Sequence, residues 1–220
     1  TVEGNMQINI RPKTLVLNKP CTLEGGLNCE RLFAVISIVD EGSDRIGIGE
    51  CLVTPETFDM PSGKIDPEGM MQVIAGLVDK ALRSEDYTAF LRPYPALLFA
   101  LESAMFDYQK NPLLYDTPFA HREMGIPVVS ELPEGSLLVR PMLDGGITGA
   151  IERIRDAQQK GKEVVLGATC ESNVGLRNIA LLAGRVAPFM IYIPDYSYKE
   201  NIEMDIEIRG GKLWRCEVDE

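Results

Sequence analysis

The sequence is poor in the residues that most often carry catalysis. It has one histidine, His121, in 220 residues, and its five cysteines are Cys21, Cys29, Cys51, Cys170 and Cys216. A single imidazole argues against a multi-histidine metal centre and against a Cys–His nucleophilic pair. The cysteines are odd in number and scattered, with no CxxC pair. Neither a disulfide framework nor a zinc site is expected, and reduced thiols in a cytoplasmic protein are. Positive charge is also scarce: 22 Lys and Arg stand against 33 Asp and Glu, a net charge of −11. Such a chain repels phosphate backbones and anionic lipid, so no nucleic-acid partner and no membrane docking are expected. No apolar run approaches the ~20 residues of a spanning helix, and the opening residues do not read as a basic-then-apolar leader.

What remains is ordinary globular material, 45% hydrophobic and 25% charged, enough for one large domain or two small ones. The first half reads as α+β. Apolar alternation over residues 6–18 and 31–39, a polar turn at 40–45 and the IGIGEC run at 46–51 give strands and a hairpin. A Pro- and Gly-rich irregular segment follows at 52–68. Two helices come next, over 68–83 and 95–110, the second opened by Pro95 and expected to bury one face through Leu98, Leu101, Ala104, Met105 and Tyr108. The second half changes rhythm: a strand at 136–140, a helix at 147–160 stopped by Gly161, a strand at 163–168 and a helix at 173–187. Strand and helix alternating over short connections predict a right-handed parallel βαβ unit, whose chemistry gathers at the C-terminal strand ends. Here those ends are Arg140–Leu143 and Thr169–Asn173. From 189 onward the pattern gives one more strand and an antiparallel pair turned by Gly210 and Gly211.

The candidate site residues follow from that placement. Arg140 is positioned to pair with a carboxylate or phosphate, or to form a salt bridge at the strand ends. Gly145 and Gly146 in DGG let backbone approach a ligand, or simply make a tight turn. Thr169, Glu171, Ser172 and Asn173 sit where a strand passes into a helix. There the first N–H groups hold an anion, or Ser172 and Asn173 serve only as caps. Glu50 is a lone carboxylate ending a strand, read as a turn or helix partner. Gly47 and Gly49 are no dinucleotide fingerprint, because no helix follows them.

The order GIGEC (47–51), YPALLFALESAMFDY (94–108), LLVRPMLDGG (137–146) and VVLGATCESNVGLRNIALLAG (164–184) resembles the enolase superfamily, in particular its o-succinylbenzoate synthase branch. The resemblance implies an α+β N-terminal capping domain over residues 1–120 and an α/β partial, incomplete TIM-like barrel over 121–194. A C-terminal tail, 195–220, would pack back on the cap. Residues 136–143 would be the sixth barrel strand and 163–173 the seventh. It further implies a KxK lysine pair on the second strand and Asp, Glu and Asp magnesium ligands ending the third, fourth and fifth. Between GIPVV and SELPEGS the chain has no room for any of these. The family's sixth-strand lysine is replaced by Arg140, which stays charged and cannot shuttle protons. A loop expected to read Thr-Ser-Arg-Gly reads Thr22-Leu23-Glu24-Gly25, reversing a charge.

The resulting expectation is a synthase-like protein of a menaquinone-pathway family, catalytically impaired: no catalytic residue, no metal ligand and no cofactor in this chain. Arg140, Gly145, Gly146, Thr169, Glu171, Ser172 and Asn173 are the substrate-binding candidates. Two alternatives stand beside it. One is an active Mg²⁺-dependent synthase whose central barrel, inserted between Val129 and Pro133, is missing from this sequence. The other is a non-catalytic module for small carboxylates. Loss of inner strands would leave raw parallel-sheet edges, so association with itself or with a partner subunit is expected.

Overall fold

The structure is a computed structural model that describes residues 6–23, 26–61, 63–186 and 190–217. Glu24 and Gly25, where the reversed charge was expected, lie outside the described residues. The N-terminal half is a three-stranded antiparallel meander of β1 (Met6–Leu23), β2 (Gly26–Asp40) and β3 (Ile46–Leu52). The first two strands are longer than the alternation suggests, because β1 continues through a register shift between Val16 and Cys21. Along β2 Phe33, Ala34, Ile36 and Ile38 are fully buried; Arg31 lies on the same strand face as Phe33, opposite that of Ile36 and Ile38.

Helix α1 (Pro67–Arg83) starts on Asp66, whose carboxylate accepts from the Gly69 N–H, and buries Met70, Met71, Ile74, Val78 and Ala81. A short α2 (Tyr87–Leu91) leads into α3 (Pro95–Gln109). The single apolar face expected for α3 is corrected here: every residue from Ala96 to Ala104 is buried. The cause is contact on two sides. On one, β3 offers Gly47 and Gly49, where an added Cβ would stand 2.1 Å from the Ala104 and Ala100 carbonyl oxygens. On the other lies α5. A helix enclosed this way shows no amphipathic stripe.

A single turn, α4 (Pro112–Tyr115), precedes the second sheet, ordered β5-β6-β7-β4-β9-β8. Its strands are β4 (Ile126–Val129), β5 (Leu137–Val139), β6 (Val164–Gly167), β7 (Ile191–Tyr192), β8 (Ile206–Arg209) and β9 (Lys212–Arg215). The first four are parallel, with α5 (Gly146–Gln159) between β5 and β6 and α6 (Asn173–Arg185) between β6 and β7. Seven residues, 130–136, join β4 to β5 across three strand spacings. That is roughly 14 Å sideways, within the ~29 Å reach of eight Cα steps but too short for the dozen-residue crossover of a βαβ unit. One expected raw edge is absent: β9 pairs antiparallel with β4 at Ile126 and Pro127. Among the described residues β5 pairs only with β6. The tail also reaches the meander, where Asn18 N–H donates to the Ser197 carbonyl and Lys199 N–H to that of Val16.

Candidate functional site

The C-terminal ends of the parallel strands face the meander across a cavity of about 400 Å³. β5 delivers Arg140, Met142 and Leu143 to its wall, β6 delivers Ala168, Thr169 and Cys170, and β7 delivers Tyr192 and Pro194. From the opposite side come Thr22 of β1, Arg31 of β2, and Leu52, Thr54, Thr57, Glu56 and Asp59 at and beyond the end of β3. Pro93 and Pro95 close the wall ahead of α3. The lining holds two guanidiniums, two carboxylates (Glu56 and Asp59), several hydroxyls and a largely apolar remainder; the guanidiniums suit an organic anion with an apolar body.

The turn that presents Arg140 is fixed internally. Its N–H donates to Asp144 Oδ2 at 2.8 Å, and Asp144 also holds Arg153 at 3.1 Å. Gly145 (φ 95°) and Gly146 (φ 72°) then start α5 in the left-handed region, where side chains are strained. Their role is packing, for a Cβ on Gly146 would stand 2.2 Å from Glu102 Oε1. Glu102, from α3, accepts from the N–H groups of Ile147 and Thr148 at 3.1 Å each and from the Thr148 hydroxyl.

The β6–α6 turn is built the same way. Ser172 caps α6, its Oγ accepting from the Val174 N–H at 3.1 Å. Glu50, from β3 and fully buried, accepts from the Ser172 N–H at 2.9 Å, the Gly175 N–H at 3.1 Å and the Ser172 hydroxyl. Asn173 is spent on the tail: its N–H donates to Asn201 and its amide to the Ile202 carbonyl. Both helix N-termini are therefore occupied, and in both the occupant is a carboxyl group of this chain. Burial pushes Glu50 up to about 8 and Glu102 up to about 7, against the pull of their donors.

Glu171 is fully buried and absent from the cavity lining; its Oε2 accepts from the Thr169 N–H. Burial pushes it to about 7. The structure thus brings Arg140 and Thr169 to the cavity, and places Gly145, Gly146, Ser172 and Asn173 in the scaffolding behind it. Arg31 was missed from the sequence. The strand pattern of RLFAVISIV gives no signal for it, because Arg31 shares a face with Ser37 as well as Phe33 and reads as the polar residue that opens the strand. His121 is exposed, 3.2 Å from Asp116 and away from the cavity.

No protein-family model matches the chain, and no curated protein matches it. Its fold is similar to that of solved structures described as enolase-family members, which align along 96% of its length at 10–11% identity. Also similar are the L-Ala-D/L-Glu epimerase of Bacillus subtilis (TM-score 0.73, 11% identity, 96% of each chain covered) and MenC of Desulfotalea psychrophila (0.64, 14%, 96% of this chain and 100% of that one). A third is the dipeptide epimerase of Methylococcus capsulatus, complexed with Mg and a dipeptide (0.66, 12%, 96% and 97%). The residues of this cavity do not fit such a metal. Among the described residues no three His, Cys, Asp or Glu side chains converge. The strand ends offer Arg140 and Thr169 instead; the lining's two carboxylates, Glu56 and Asp59, come from beyond β3, and two guanidiniums in the same lining oppose a divalent cation. No helix among the described residues is long and apolar enough to cross a membrane.

Proposed function

We propose that this protein is an enolase-superfamily relative, akin to the o-succinylbenzoate synthase branch, that binds an organic carboxylate without turning it over. The observation that carries the reading is the cavity lining: among the described residues Arg31 and Arg140 line it, and no lysine or histidine does. Metal-assisted abstraction of a carbon-bound proton needs a base held at the substrate and a cation to stabilise the enediolate. The lining's two carboxylates, Glu56 and Asp59, are fewer than the three acids such a magnesium site uses and bring no lysine or histidine base, whereas two guanidiniums are there for an anion. The MenC and epimerase neighbours support a carboxylate as the occupant.

The test uses o-succinylbenzoate. It raises Tm in the wild type, and the shift is lost in Arg140→Ala. With saturating Mg²⁺ and the cyclohexadiene precursor, the absorbance trace stays flat. Steady product formation would replace this reading with that of an active dehydratase. The unpaired outer edge of β5 supports the accompanying proposal that the chain self-associates or meets a partner subunit.

A further inference from the structure

Behind the cavity wall, three buried polar atoms have no hydrogen-bond partner: Arg31 Nε, Thr169 Oγ1 and Glu171 Oε1. Arg31 is 5% exposed and Glu171 0%. They come from different sheets, the meander and the parallel strands, and their charges attract. No direct ion pair joins them, and each keeps one atom unsatisfied. Unpaired buried groups of this kind are destabilising unless something meets them. Arg31 and Thr169 also line the cavity.

We propose that anion binding in this cavity is coupled to uptake of one proton by Glu171, because the ligand's carboxylate and Glu171 compete for the Arg31 guanidinium. With Glu171 ionised, Arg31 is already balanced by a buried negative charge, and an incoming carboxylate adds a second one beside it. With Glu171 neutral, the guanidinium is left for the ligand and no second negative charge is buried beside it. One proton is taken from solvent on binding and returned on release. This rests on the reading that the cavity takes a carboxylate.

The groups facing Glu171 favour such a role. Arg31 approaches from β2, Glu50 from β3, Cys170 from the same turn, and Tyr196 and Tyr198 from the tail. Tyr196 donates to the Glu171 carbonyl at 2.7 Å and Tyr198 to that of Cys170, fixing the turn. Burial holds the Cys170 thiol up at about 12 and both phenols far above neutrality, so none of these changes charge near pH 7. Glu50 does, and its ionisation opposes that of Glu171. Both carboxyls therefore respond in the same direction.

Calorimetric titration with o-succinylbenzoate, ionised throughout the range used, tests the coupling. In buffers of small and large ionisation enthalpy at pH 7.5, the apparent enthalpies differ by an amount equivalent to about three quarters of a proton taken up. Kd is about 25-fold weaker at pH 8.5 than at 6.5. In Glu171→Gln the pH dependence shrinks below about twofold, while Glu50→Gln retains most of it. If Glu171→Gln fails to fold, the buffer pair on the wild-type protein decides alone. Binding with equal enthalpies in both buffers and a flat Kd overturns the coupling and leaves the carboxylate reading standing. No binding at any pH overturns both.

Discussion

Replacing Glu50 with alanine removes the acceptor for two backbone N–H groups, those of Ser172 and Gly175, at the fully buried start of α6. The Ser172 hydroxyl loses its acceptor as well, but still caps the Val174 N–H. Two orphaned buried donors at ~1–3 kcal/mol each give a gross loss of about 2–6 kcal/mol. Relief from burying a carboxyl beside Glu171 offsets part of this, leaving about 3 kcal/mol. For a chain of this size that lowers Tm by roughly 6–12 °C. Glu102→Ala makes the internal comparison. It also orphans two N–H groups, but one belongs to Thr148, which is exposed and so reached by water. The loss there is about 1–2 kcal/mol. Urea unfolding of both variants at pH 7 measures the difference. A loss under about 1 kcal/mol for Glu50→Ala, or a larger loss for Glu102→Ala, would refute the idea that carboxyl groups from β3 and α3 hold the helix starts.

Three other outcomes are expected. Glu50, Glu102 and Glu171 titrate near 8, 7 and 7 in the fold against 4.5 in the unfolded chain. The native state binds more protons between those values, so stability falls as pH rises from about 5 to 8.5, as urea midpoints would show. Asp107 and Asp205 act at the other end: despite burial, Arg177 holds both below their usual value, so their contribution is lost as pH falls below about 4. A profile flat from pH 5 to 8.5 contradicts this. Gly49→Ala drives a Cβ to 2.1 Å from the Ala100 carbonyl oxygen in a joint with backbone on both sides, so it costs at least about 3 kcal/mol and most of the soluble yield. Sedimentation at micromolar concentration gives a species heavier than the monomer, reduced by a charged or proline substitution at Leu138 on the β5 edge; a monomer throughout rejects association.

Local chemistry wrote much of this molecule into the sequence. Pro67 and Pro95 open helices, Gly161 ends one, Ser172 caps one, and the alternation in residues 31–39 makes a strand, because each depends on neighbours within a few positions. Arg140 and Thr169 could be placed at strand ends for the same reason. The enclosure of α3, the burial of Arg31 and the roles of Glu50 and Glu102 could not. All depend on partners distant in sequence, 45 to 125 residues away for Glu102 and Glu50, brought close only by tertiary packing. Whether a helix start stays open to a ligand or is closed by the chain's own carboxylate is decided by that docking, since the capping sequence reads alike in both cases.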